Sequence, residues 1–198
     1  MTSMVTWQAE DEVGLEGARV LIGAAGFRAL GRIVRTGPRG ECTASYRLTV
    51  SEDGTVSRLS VTAATADRER HLTMNRTEDG YWLLDDGSGS TRSDFGGAVD
   101  VDLERSPLFN TLPIRRLGLH VEAGDHVIPV VFVSLPSLTV ELVDQHYRTV
   151  TTIGADGQAV VNFSAGDVTA DLSVDAEGLV TSYPGLARRV TAPESVGG

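Results

Sequence analysis

The sequence predicts a mainly β protein: an antiparallel sheet, barrel or roll with little helix. Two observations carry this reading. Apolar and polar residues alternate with period two through most of the chain after Cys42. Turn signals such as Asp53-Gly54, Asp79-Gly80, Asp156-Gly157 and Glu177-Gly178 punctuate the alternation, at the spacing of about 8–12 residues that suits short antiparallel strands.

The elements follow in order, roughly ten strands in all. Trp7 opens the structured part. Leu15–Ile22 and Phe27–Val34 read as two strands around the Gly23–Gly26 break, because Gly23, Gly26 and Gly31 weaken a helix there. Thr36–Gly40 is a turn. Tyr46, Leu48 and Val50 alternate with Ser45, Arg47 and Thr49, and Val56–Ala64 alternates again after Asp53-Gly54, which makes a hairpin. His71–Asn75 and Tyr81–Leu84 are the next strands, and the polar run Asp85–Thr91 is a loop. Short turns are expected at Ser106–Leu117. His126–Leu135 is an apolar strand ended by Pro136. Leu138–Val150 is a long strand with Leu138, Val140 and Leu142 on one face. Ala159–Phe163, Val168–Val174 and Leu179–Tyr183 complete the set.

One domain is expected over residues 1–190, with a frayed tail at 191–198, since no linker is visible. The chain has 198 residues, 27 acidic against 17 basic, and a formal charge of −10. That acidity argues against duplex nucleic acid and against an anionic membrane surface. Cys42 is the lone cysteine, so no internal disulfide is possible and a small buried hydrophobe is the plain reading. Neither a signal peptide nor a transmembrane segment is visible, which makes a cytoplasmic protein the expectation. No phosphate loop, dinucleotide fingerprint or nucleophile elbow is present, the four histidines are scattered, and nothing calls for a metal or other cofactor.

The stretch Asp100–Leu117 stands apart. Val99, Val101 and Leu103 alternate with Asp100, Asp102 and Glu104, then Pro107 and Pro113 interrupt a run containing Leu108, Phe109 and Leu112. Asp100 and Asp102 share one strand face. They could form a metal-binding or acid–base pair, or be held by Arg115 and Arg116, whose guanidinium forks match carboxylates. On an extended chain only one of the two arginines faces inward, and Arg115 is the expected one. Either arginine could hold a phosphate or sugar headgroup or act as a clamp. Asn110 could bond backbone or a ligand. Trp82, Tyr81, Tyr147 and Tyr183 could line an apolar cavity or fill the core.

Asp100–Leu103 and Asn110–Leu117 resemble the signature of the bacterial "putative glycolipid-binding" family, a family of unknown activity. Trp7, Tyr46–Leu48, Tyr81-Trp82, Gln145–Tyr147 and Val174–Val180 followed by Tyr183-Pro184 support the match. Ser106 and Phe109 stand where threonines are expected, and Ala98 where cysteine is common. The resemblance implies a curved antiparallel sheet rolled into an incomplete barrel, a spiral β-roll similar to bacterial lipoprotein and lipid carriers, with an apolar interior open at one side. The reading is therefore a binding protein for an amphipathic small molecule, a glycolipid or other lipid. Asp100, Asp102, Asn110, Arg115, Arg116, Trp82, Tyr147 and Tyr183 are its candidate ligand residues. Its competitors are a small enzyme using Asp100 and Asp102, and an interaction module whose roll is filled by its own side chains. The oligomeric state is left open.

Overall fold

The computed structural model describes residues 1–38 and 40–191; the expected tail, from 192 on, lies outside the described residues. Among the described residues, fifteen strands form one sheet that is not closed into a barrel. The first eight are β1 (Thr2–Ala9), β2 (Val13–Gly23), β3 (Gly26–Gly37), β4 (Gly40–Val50), β5 (Val56–Ala64), β6 (Glu69–Arg76), β7 (Trp82–Asp85) and β8 (Ser90–Ser93). After a 3-10 turn at Phe95–Gly97 come β9 (Asp100–Leu103), helix α1 (Pro107–Arg116), β10 (Asp125–Val133), β11 (Val140–Thr151), β12 (Gln158–Ala165), β13 (Val168–Asp175), β14 (Val180–Tyr183) and β15 (Ala187–Arg189).

The expected mainly β class and rolled open sheet are what the structure has. The first and last strands pair at the middle of the sheet, Trp7 opposite Arg189. From that pair two antiparallel meanders run outward, ending at edges β8 and β9. These edges are consecutive in the chain, and this forces the roll. A flat sheet of fifteen strands would be roughly 65 Å wide at the usual strand spacing. The connection from Ser93 to Asp100 can reach only about 25 Å when fully extended. The connecting segment is fastened on its way: Val56 N–H donates to the Val99 carbonyl at 2.9 Å and Trp82 Nε1 to the Ala98 carbonyl at 2.8 Å.

One pairing departs from the expected antiparallel pattern. β9 runs parallel to β10, with Asp102 opposite Phe132, and α1 lies in the crossover between them. The expected short turns at Ser106–Leu117 are thus a ten-residue helix. Pro107 sits at its first position, where its missing N–H is harmless. Its end is a Schellman motif: Leu119 N–H donates to the Ile114 carbonyl, Gly118 N–H to the Arg115 carbonyl, and Gly118 takes φ 67°. The first eight helix residues are all buried, so α1 fills the roll rather than lying on it. Leu108, Phe109 and Leu112 pack with Trp7, Ile33 and Tyr46, while Ile114 packs with Tyr147, Phe163 and Leu172.

Other strand expectations need correction. β1, β8 and β15 were not anticipated, and β8 lies partly in the expected loop Asp85–Thr91. Leu138 is not part of β11; it takes φ 56° in the connection before it.

Candidate ligand-binding cleft

A cleft of about 410 Å3 opens between α1, the β9–β11 edge and the β12–β14 wall. Its polar end is built from Asp102 on β9, Asn110 on α1 and Gln145 on β11; its apolar side from Phe132, Phe163, Val168 and Tyr183. Residues far apart in the chain meet here because β9 crosses to β10 over the helix.

A chain of hydrogen bonds fixes the polar end. Asn110 Nδ2 donates to the Tyr147 hydroxyl at 2.9 Å, that hydroxyl to Gln145 Oε1 at 2.8 Å, and Gln145 Nε2 to Asp102 Oδ2 at 2.7 Å. The series holds the Asp102 carboxyl in a fixed orientation and uses one of the two N–H donors on each of Asn110 and Gln145. Burial pushes Asp102 up to about 6; the Gln145 hydrogen bond opposes this and the Glu104 charge adds to it. Burial, then the charge of Asp102, raises the Tyr183 phenol. Tyr147, Phe163 and Tyr183 pack tilted and edge-on in series, with ring centroids 5.2 and 5.8 Å apart, an aromatic wall in which only the two tyrosines carry a hydroxyl tip.

The junction of β9 and α1 carries a second group of buried polar residues. Arg105 adopts φ 68°, an uncommon conformation for a residue with a side chain. Its Nη1 lies 3.3 Å from Glu12 Oε1, and its carbonyl accepts from Arg35 Nη2 at 2.8 Å. Next to it, Ser106 Oγ donates to Glu16 Oε1 at 2.7 Å, and Tyr46 donates to the same oxygen at 2.5 Å. Glu16 is fully buried, and desolvation raises it to about 7 against those two hydrogen bonds and the charge of Arg35. Cys42 is buried beside Arg105, and burial raises its thiol.

Of the residues singled out in the sequence, Asp102, Asn110 and Tyr183 line the cleft, and Tyr147 stands behind it. Asp100 does not. It is fully buried and takes a two-pronged pair from Arg116, with Nη2 to Oδ2 at 2.5 Å and Nε to Oδ2 at 3.1 Å. Burial raises Asp100 and Arg116 pulls it back. The expected acid–arginine tie therefore exists, but through Arg116. Arg115, the expected inward residue, donates to the Glu177 carbonyl and lies 5.9 Å from the Phe27 ring. The extended-chain argument fails here because both arginines sit on the last turn of a helix. Trp82 is fully buried in the core among β5–β7. Gln145, Phe163, Glu104, Arg105 and Glu141 line the cleft without having been singled out as ligand residues. Among the described residues no cluster of three or more His, Cys, Asp or Glu side chains could hold a metal ion. No helix of the described residues is long and apolar enough to cross a membrane.

The family model described as Putative glycolipid-binding matches residues 4–189. The chain belongs to this family. No curated protein matches it. It is similar to the crystal structure of a DUF1089 family protein from Pseudomonas aeruginosa, at 26% identity and TM-score 0.71, over 88% of this chain and 92% of that one. It also shares a fold with a beta-barrel-like protein of the domain of unknown function DUF1849 from Brucella abortus, at 8% identity and TM-score 0.54, over 95% of this chain and 93% of that one.

Proposed function

We propose that the protein binds an amphipathic molecule with an uncharged, hydroxyl-rich headgroup, a glycolipid, in the cleft beside α1. The observation that carries this is the division of the cleft into a hydrogen-bonding end and an aromatic wall. A carboxylate accepts from sugar hydroxyls, and Asn110 and Gln145 complete the polar end. Tyr183 and Phe163 take the apolar face of the ring and the start of the chain. At about 410 Å3 the cleft is within the usual range for small-molecule sites, and most of a lipid tail would leave through its mouth. In this reading Asp102, Asn110 and Tyr183 touch ligand, Gln145 and Tyr147 position them, and Asp100, Arg116 and Trp82 hold the frame.

The lining also favours a neutral headgroup over phosphate. Asp102, Glu104 and Glu141 contribute carboxylates, whereas its one basic residue, Arg105, is 5% exposed and already beside Glu12. An anion entering there meets acids. The test is calorimetric titration with an alkyl glycoside and an alkyl phosphate of equal chain length, beside native mass spectrometry of the purified protein. The glycoside binds and the phosphate does not, and Tyr183→Ala weakens the glycoside at least tenfold, equivalent to about 1.4 kcal/mol. Preference for the phosphate, or no binding of either with no co-purified lipid, overturns the reading. The interaction module remains the second reading because α1 fills the roll; it gains if neither ligand binds.

A further inference from the structure

The chain is acidic overall, yet one broad face of the sheet is basic. The outward positions of β1–β6 form three rungs in register. The first reads Thr2, Leu21, Arg28, Thr49, Arg58 and Asn75. The second reads Met4, Arg19, Leu30, Arg47, Ser60 and Thr73, and the third Thr6, Gly17, Arg32, Ser45, Thr62 and His71. These rungs hold five arginines and no Asp or Glu. All five arginines are exposed. Acids on this face lie at its margins: beyond the third rung at Glu69 and Glu41, on β7 where Asp85 stands opposite Thr73 at the end of the second rung, and in the β4–β5 turn, where Asp53 lies near Arg76.

The face is also shaped. Gly17 has no side chain and open space in front of its Cα, so a shallow hollow lies there, rimmed by Arg19, Arg32 and Arg47 and bearing the hydroxyls of Ser45, Ser60 and Thr62. Arg19 and Arg47 stand two strands apart, roughly 10 Å. Leu30 projects between Arg19 and Arg47, and Met4 stands beside Arg19 at the rung's end, 39% and 72% exposed.

We propose that this face docks on an anionic lipid bilayer, with lipid phosphates in the arginine-rimmed hollow and Met4 and Leu30 in the interfacial layer. Charge complementarity requires an anionic partner. The exposed apolar residues among the arginines suit a lipid interface, where apolar burial and cationic contact add. The same features argue against nucleic acid. A single strand would use aromatic stacking platforms, and the three rungs carry no Phe, Tyr or Trp. A duplex reader inserts a helix or narrow ribbon into a groove, and this is the middle of a broad sheet. The net charge of −10 averages over this face and conceals it. The face lies on the outside of the β1–β6 half, whereas the cleft lies against β9–β14, so the proposal stands apart from the cleft's ligand.

The test is sedimentation of the full chain with vesicles of pure phosphatidylcholine and of phosphatidylcholine mixed with phosphatidylglycerol. Binding to the mixed vesicles alone, weakened by salt, is expected. Each arginine near an anionic surface contributes about fivefold to partitioning, so Arg19→Gln with Arg47→Gln lowers binding about 25-fold. The substitutions are on exposed positions and leave the fold intact, which circular dichroism verifies. Tyr183→Ala, in the cleft, leaves vesicle binding unchanged. Failure of the wild-type chain to sediment with mixed vesicles overturns the proposal, as does equal binding to pure phosphatidylcholine. So does a double variant that sediments like wild type, or retention of an oligonucleotide in place of vesicles.

Discussion

Gly31→Ala should be among the most damaging single-methyl additions to this protein, although Ala is ordinarily benign in place of Gly in an extended strand. Gly31 faces inward on β3, opposite Tyr46 on β4. A Cβ there would lie 2.1 Å from Tyr46 Cζ and 2.2 Å from its hydroxyl oxygen. The ring cannot yield cheaply: it is 4% exposed, packs edge-on against Phe109 at 5.3 Å, and donates to Glu16 on β2. The absent side chain at Gly31 is what lets Tyr46 cross β3 and reach that carboxyl. Overpacking of this kind costs about 1–3 kcal/mol. Pulling the hydroxyl off a buried acceptor adds about 1–3 kcal/mol, for a total near 4 kcal/mol. Gly17→Ala, on the neighbouring strand, is the control: nothing lies within 4 Å of its Cβ, and the change should be neutral or stabilise by up to about 1 kcal/mol. Urea denaturation at constant m-value measures both midpoints. Equal midpoints for the two variants would refute the argument. So would a Gly31→Ala, Tyr46→Leu double variant no more stable than Gly31→Ala alone, since trimming the ring removes the clash.

Three further outcomes follow from the buried charges. Arg116→Ala strips the partner from fully buried Asp100 and should cost about 3–5 kcal/mol, against about 1 kcal/mol or less for Arg115→Ala; chemical denaturation of both variants decides it. Asp102, raised to about 6 by burial, stabilises the fold below its unfolded pKa near 4, and this contribution is lost as pH rises through about 6. Asp102→Asn should therefore flatten the fall in stability between pH 4 and 7 by up to about 3 kcal/mol, and an unchanged slope would count against the buried carboxyl. Glu16→Gln should likewise remove a loss of stability that runs from about pH 4.5 to about pH 7, read from the same denaturation series.

Much of the fold was legible because its hairpins announce themselves. β4 and β5 show strict alternation on either side of Asp53-Gly54, and Gly54 takes the positive φ (82°) such a turn needs. What escaped had weak local signal. β8, Ser90–Ser93, buries no residue and has no pattern to read. β15 is three residues long and exists through its pairing with β1 and β14. β1 was readable, since Val5, Trp7 and Ala9 alternate inward. The helix was obscured by Pro113, which argues against a helix interior. Burial of α1 on all sides outweighs that penalty, and the mistaken extended reading then carried over to Arg115 and Arg116.

The buried polar groups followed a signal that parity could have exposed. Glu16 shares its strand face with Ala18 and Val20, and Arg35 shares one with Ala29 and Ile33. A charge on the apolar side of an alternating strand must either mark the wrong register or meet a partner inside. β2 and β3 satisfy the second condition, since Glu16 takes Tyr46 and Ser106, and Arg35 meets Glu12 and the Arg105 carbonyl. The cleft is different in kind. Asp102 and Asn110 come from neighbouring elements, but Gln145 and Tyr183 reach them only because the sheet rolls and β9 pairs with β10. That pairing follows from the short Ser93–Asp100 connection and the helical crossover, so the site is a property of the rolled topology. Local alternation could place Asp102 on a face and Tyr183 on a strand; it held no information that the two would share a cavity.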